Sequence, residues 1–249
     1  MTVCMSREQT LQYMLERHRK GERLVVSRYS DGEFNIFTSD DIPVSLQTGN
    51  EDAQIMRQRL TKAIRKKNQL VCINELKERN LTKKDRWVFI QEYLKKIGGH
   101  DLYGGANWNV FDYTHGNNLL PRLFSGKTLI VTGHDLAVKD AFRGYKNIGI
   151  YKTELKAVST RYDWHVSRLR DMSSKYDNII FACGPAGKAM MTEIAKNTHA
   201  NLIDIGAVLN AIIHGVRPHY GLVWQWSMSW AATANLPKQS NLFFSKIRK

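Results

Sequence analysis

Short apolar runs alternate with helix-period segments along this chain, and that alternation constrains the fold more than any single motif. The runs are Leu24-Val25-Val26 (within a strand expected over 23–27), Leu70-Val71-Cys72-Ile73, Lys127–His134, Asn147–Tyr151, Asn178–Cys183 and Leu202–Ile205. Leu24–Val26 and Asn178–Cys183 read as buried strands, Asn147–Tyr151 as a shorter candidate and the others as strands. Helical spacing is read over about 7–20, 50–67, 84–97, 163–174 and 186–197. Ser6 and Gln9 offer a capping box for the first of these, with Leu11, Met14, Leu15 and His18 inward and Gly21 as its stop. In the second, Ile55, Met56, Leu60 and Ile64 are the expected buried face. Gly98-Gly99 and Gly104-Gly105 read as a loop region. Strands alternating with helices predict an α/β fold, a mostly parallel, doubly wound sheet flanked by helices. The 249 residues are expected to form one domain. Residues 221–249, with Trp224, Trp226 and Trp230 and a basic tail, are an aromatic, basic segment of that domain.

In such sheets ligands bind beyond the carboxyl ends of the strands. Four segments fall there. The first is Arg28-Tyr29-Ser30-Asp31-Gly32-Glu33-Phe34. Gly32 permits a tight turn, so that Asp31 and Glu33 face one point beyond the strand. Two converging carboxylates suit a hard divalent cation. The same residues suit a polar strand-to-loop turn, because Asp-Gly is a common turn dipeptide. The second segment is Gly133-His134-Asp135, where a histidine beside a carboxylate reads either as a general base or as a capping acid with an exposed imidazole. The third, Gly184-Pro185-Ala186-Gly187-Lys188, joins a strand to a helix. A phosphate can sit on such a helix start, with Lys188 adding charge, and a plain β–α turn fits equally. The fourth is Asp204-Ile205-Gly206. Asp163 and His165 flank Trp164 at another helix start and are further candidates. His214, Arg217, His219 and Tyr220 cluster late in the chain, and Arg217 has the fork geometry to clamp a diphosphate.

The formal charge of +14 is far from ordinary and points to polyanionic partners: nucleic acid, an anionic membrane face or phosphorylated substrates. Arg57, Arg59, Lys62, Arg65, Lys66 and Lys67 concentrate part of it on one helix. Three distant cysteines without a Cys-x-x-Cys pattern argue against a disulfide framework or a cysteine zinc site. The first residues show no signal-peptide core, and no apolar run approaches the ~18–20 residues that cross a bilayer. A soluble, cytoplasmic protein without membrane insertion is expected.

The ordered set of motifs resembles glycosyltransferases of the GT-D type, which are Rossmann-like with an Asp-x-Glu metal motif. Arg28 to Phe34 matches the family's Arg-aromatic-x-Asp-Gly-Glu-aromatic run, and Gln47 a downstream glutamine. Gly184 to Lys188 matches its Gly-Pro-x-x-Lys turn, and Asp204 to Gly206 with Arg217 and Tyr220 its late Asp-x-Gly segment. The resemblance spans about residues 20–220. It implies a nucleotide-sugar donor, a UDP-sugar, with Mn²⁺ or Mg²⁺ held by Asp31 and Glu33. The implied donor-binding residues are Arg28, Ser30, Gly32, Gln47, Gly133, Gly184, Pro185, Lys188, Asp204, Gly206, Arg217 and Tyr220. Asn210 stands where relatives carry an acid, leaving His134, Asp135 and Asp163 as candidate bases. Charge and tryptophans add an expected acceptor: a hydroxymethylated base in bacteriophage DNA. A surface, protein or lipid-linked glycan is the alternative acceptor. A non-catalytic nucleic-acid-binding module is the alternative of another class.

Overall fold

The structure, a computed structural model, describes residues 3–38, 53–73, 92–115, 118–154, 161–214 and 240–247. Gln47, Arg217 and Tyr220 lie outside these residues, as do Trp224, Trp226 and Trp230 and most of the helix expected over 84–97. Among the described residues eight strands form one sheet: β1 (Val3–Cys4), β2 (Val25–Tyr29), β3 (Leu70–Ile73), β4 (Leu102–Gly105), β5 (Thr128–Thr132), β6 (Ile148–Lys152), β7 (Asn178–Ala182) and β8 (Asn201–Asp204). Their order is β1-β4-β3-β2-β8-β7-β5-β6, and every pairing is parallel. This is the α/β, Rossmann-like arrangement expected, with helices on both faces.

The near-continuous apolar strands follow from that double cover. Leu129, Val131, Ile179 and Phe181 join the core on the face carrying the helices Ala53–Ile64, Tyr162–Ser173 and Gly184–Ile194. Ile130 and Ile180, one residue out of phase, join the core on the other face. That second core is built with the helices Arg7–Arg19, Trp108–His115, Leu119–Ser125 and Val208–His214. The first helix carries the expected capping box: Ser6 Oγ accepts from Gln9 N at 3.2 Å, and Ser6 N donates to Gln9 Oε1 at 2.8 Å. Leu11, Met14 and Leu15 are its buried stripe, as expected.

Three expectations are corrected. The loop placed around Gly104-Gly105 is instead β4. Glycine there serves close approach: a Cβ on Gly104 would lie 2.7 Å from Cys72 Sγ and 2.9 Å from Thr10 Cγ2. Thr10 Oγ1 accepts from Gly105 N at 2.7 Å, tying the first helix to this strand. The turn placed at Asp31-Gly32 is the first turn of a helix, Asp31–Thr38. Ile55, expected inward, is 46% exposed, while Ala63 takes the inward position beside Met56, Leu60 and Ile64.

The described C-terminal helix, Ser240–Ile247, packs into the second core. The Phe243 ring lies 5.5 Å from Phe124 and 6.0 Å from Tyr113, and Phe244 lies 5.3 Å from Phe142. No described helix is long and apolar enough to cross a membrane. Phe243→Ala empties a buried aromatic site, so the unfolding free energy should fall by about 3–5 kcal/mol. Urea titration reads this as a lower midpoint with unchanged slope; a wild-type midpoint would mean that the helix is peripheral.

Candidate active site

Ser30-Asp31-Gly32-Glu33 has the spacing of a capping box, Ser-x-x-Glu, at the junction of β2 and the helix Asp31–Thr38. The structure uses its acidic half. Glu33 Oε2 accepts from Ser30 N at 2.8 Å and from Ser30 Oγ at 3.3 Å. That turns the Glu33 carboxylate back over the end of β2, where it is buried. Its other oxygen, Oε1, lies 2.8 Å from Lys188 Nζ. Lys188 belongs to the first turns of the helix that follows β7, and its ammonium also lies 3.0 Å from Asp204 Oδ2, at the end of β8. β2, β8 and β7 are neighbours in the sheet, so three acids and bases distant in sequence meet at one carboxyl edge.

Asp204 is tied further. Its Oδ2 accepts from Arg28 N at 3.3 Å and its Oδ1 from Gly206 N at 3.0 Å. Gly206 has φ +50, and a Cβ there would fall 2.7 Å from an Arg28 guanidinium nitrogen. Glycine at this position therefore both permits the turn and makes room for Arg28. Asn109, fully buried, donates from Nδ2 to Ile205 O at 2.7 Å and holds the same turn from the opposite side. Asn109 was not singled out in the sequence; a lone polar residue before an apolar stretch carries no signal of such a role.

Glu33, Lys188 and Asp204 are 5%, 5% and 3% exposed. Charges so buried persist only when paired. Burial pulls the Lys188 pKa down, but Asp204 and Glu33 outweigh it and hold the ammonium above its ordinary range. Two carboxylates against one ammonium leave the cluster one charge negative, and Arg28, half-buried at its edge, offsets that charge. Tyr29 is buried beside the cluster; burial, then Glu33 and Asp204, push its phenol well above the usual range.

The other expected residues are placed differently. Gly184 (φ +68) and Pro185 open the helix after β7, whose N-cap residue Cys183 makes no side-chain cap bond. Lys188, expected to reach a phosphate at that turn, is directed into the sheet edge between the two acids. Gly133 leads into His134, whose N–H donates to Thr132 Oγ1 at 3.2 Å. Asp135 does not serve that imidazole; its carboxylate lies 3.3 Å from both Lys139 and Lys152. Burial lowers the His134 pKa below the ordinary imidazole value. Asp163 is 89% exposed and lies 3.4 Å from Arg59 on the outer helices. His165 is buried in a chain of its own, Nδ1 at 2.8 Å from the Tyr151 hydroxyl and Nε2 at 2.6 Å from Glu154 Oε2. Gln47, Arg217 and Tyr220 fall outside the described residues, as does the side chain of Asp31. No group of three or more His, Cys, Asp or Glu converges as a metal set among the described residues.

Three solved structures share this architecture. One is described as a new glycosyltransferase (DUF1792) from Streptococcus sanguinis. It superposes with a TM-score of 0.62 at 17% identity over 88% of this chain and 87% of its own. A selenomethionine structure of domain of unknown function 1792 matches at 0.58 and 20% identity, over 87% and 83% of the two chains. A third, described as DUF1792 with a distinct glycosyltransferase fold, matches at 0.57 and 20% over the same shares. The fold is therefore that of these glycosyltransferase structures. No family model matches the sequence, and no curated protein does.

Lys188→Met should strand two buried carboxylates and cost about 3–5 kcal/mol of stability. The pH signature has a definite sign. A lysine whose folded pKa lies above its ordinary 10.5 stabilises fully below that value and loses the contribution as pH rises through the folded pKa. The wild type should therefore shed stability in the alkaline range above 10.5, and Lys188→Met should lack that loss. Equal alkaline slopes in denaturation curves would show that Lys188 is not the group responsible.

Proposed function

We propose that this protein transfers a sugar from a UDP-sugar to an acceptor hydroxyl, with the hydroxymethyl group of 5-hydroxymethylcytosine in bacteriophage DNA as the acceptor. The observation that carries the transferase reading is the Glu33–Lys188–Asp204 cluster with Arg28 at the carboxyl edge of β2, β8 and β7. That edge is where doubly wound sheets bind ligands. The same architecture in glycosyltransferase structures supports the reading. The DNA acceptor is supported by the charge of +14, which favours a polyanionic partner.

The chemistry asks little of covalent catalysis by the protein. The acceptor oxygen forms a bond to the anomeric carbon and loses its proton. The bond from that carbon to the diphosphate oxygen breaks, and the nucleotide leaves with the electron pair. Negative charge grows on the diphosphate, so the site must offer positive potential there. Arg28 stands at the edge of the cluster, and the helices Asp31–Thr38 and Gly184–Ile194 begin on the same side. Lys188, already committed to two acids, acts chiefly by fixing β2, β7 and β8 relative to one another.

Mn²⁺ or Mg²⁺ at Asp31 and Glu33 belongs to the same proposal, under one condition. Glu33 Oε1 already accepts from the Lys188 ammonium and Oε2 from Ser30, so a cation at Glu33 would share Oε1 with that ammonium or displace a donor. Such an ion supplies neutralisation of charge on the departing nucleotide.

UDP release from a panel of UDP-sugars, with Mn²⁺ or with EDTA, tests the reading. Arg28→Ala, at a partly exposed position, should lower turnover by about 100-fold or more while the protein stays folded. Release stimulated by hydroxymethylcytosine DNA but not by unmodified DNA identifies the acceptor. Release indifferent to DNA redirects it to a glycan, and no release from any donor sinks the transferase reading.

A further inference from the structure

A second surface lies on the face of the sheet covered by the helices Ala53–Ile64, Tyr162–Ser173 and Gly184–Ile194. Between them runs an open groove of about 470 Å³ lined by Arg59, Lys62, Tyr162, Asp163, Arg170 and Glu193. The Arg59 guanidinium lies flat over the Tyr162 ring at 3.7 Å. Two acids reach into the groove, Asp163 at 3.4 Å from Arg59 and Glu193 at 2.9 Å from Lys62. Arg170 in the groove, with Arg65 and Lys66 just after the helix Ala53–Ile64, leaves the surface positive.

On the same helix as Tyr162, Asp163 and Arg170 stands Trp164, 44% exposed. Two guanidinium groups lie near it, Arg161 at 4.2 Å from the ring centroid and Arg168 at 5.7 Å. A large indole left in solvent and held by two arginines has the form of a stacking platform for an unpaired base, with cations beside it for the phosphates. A duplex offers no base face to such a ring. An anionic membrane is the poorer match: Ile55, Leu136 and Trp164, the large apolar side chains exposed among the described residues, sit on three different helices rather than in one insertable patch. Trp164 lies in the first turn of the helix that follows β6, hence at the same carboxyl edge as the Glu33–Lys188–Asp204 cluster.

We propose that this face binds a single-stranded or locally opened polynucleotide, its phosphates on Arg59, Lys62 and Arg170 and one base stacked on Trp164. The inference deepens the acceptor half of the function proposed above, naming where that acceptor lies. It is tested without any donor sugar, so failure of sugar transfer and failure of this interface are separate results.

The probe is a fluorescein-labelled single-stranded DNA of about 16 nucleotides, comparable to known single-strand site sizes. Its anisotropy is followed with the full chain across a salt series. Affinity should fall linearly on a log–log plot. Arg170→Ala and Lys62→Ala should each flatten the slope by about 0.7. Trp164→Ala should weaken binding by about fivefold to a hundredfold with the slope unchanged, and Trp164→Phe should restore part of the loss. All three positions are exposed, so the variants should fold. Inorganic polyphosphate and phosphatidylserine vesicles serve as competitors. If polyphosphate binds as well as DNA and Trp164→Ala changes neither, the surface is a general anion face and the proposal fails. It fails equally if vesicles bind and the oligonucleotide does not.

Discussion

One buried ammonium, that of Lys188, holds three strands of this sheet in register with one another. Its two partners come from either end of the chain: Glu33 from the helix after β2, Asp204 from the end of β8. Removing any of the three leaves a charge in a site with almost no solvent, where the desolvation penalty is several kcal/mol per ion. The neighbouring features serve the same arrangement. Ser30 orients Glu33, Gly206 leaves space for Arg28, and Asn109 pins the carbonyl between them. Each of these groups is held in place by the others.

The cluster and the groove along the helices differ in how they treat charge. In the Glu33–Lys188–Asp204 cluster every described carboxylate oxygen is taken up inside the protein, and the cluster is close to neutral with Arg28. Along the helices Ala53–Ile64 and Tyr162–Ser173 the cations Lys62 and Arg170 are exposed, Arg59 is partly so, and Asp163 and Glu193 answer only part of their charge. Buried, satisfied charge fixes geometry; exposed, unsatisfied charge attracts from a distance and is screened by salt.

Most strands were legible because their apolar runs are continuous, a pattern that burial on both faces enforces. Leu70–Ile73 coincides with β3, and Asn178–Cys183 with β7 to within a residue. β4 was not legible, because Gly104 and Gly105 carry the composition of a loop; their use, close passage beneath Cys72 and Thr10, exists only after packing. The Ser30–Glu33 junction was misread for a related reason. Asp-Gly favours a turn locally, but the acid at the third helical position caps the helix and is then drawn inward by Lys188. His134 and Asp135 are adjacent in sequence yet do not cooperate, since Lys139 and Lys152 take the carboxylate.

The periodicity was written in the sequence: alternating buried strands and amphipathic helices, and therefore a parallel sheet whose loops at one edge collect the polar residues of Arg28–Glu33, Gly184–Lys188 and Asp204–Gly206. These follow from local steric and hydrophobic preferences, which operate over a few residues. Only the tertiary structure decided what each of those residues does. Strand order β2-β8-β7 placed Lys188 between Glu33 and Asp204, and turned a cation expected to meet a phosphate into the internal counter-charge of two acids. It likewise separated Asp163 from that cluster and set it against Arg59. Pairings of this kind depend on long-range strand order and on the cost of burying an unpaired charge, and neither is written in any short window of sequence.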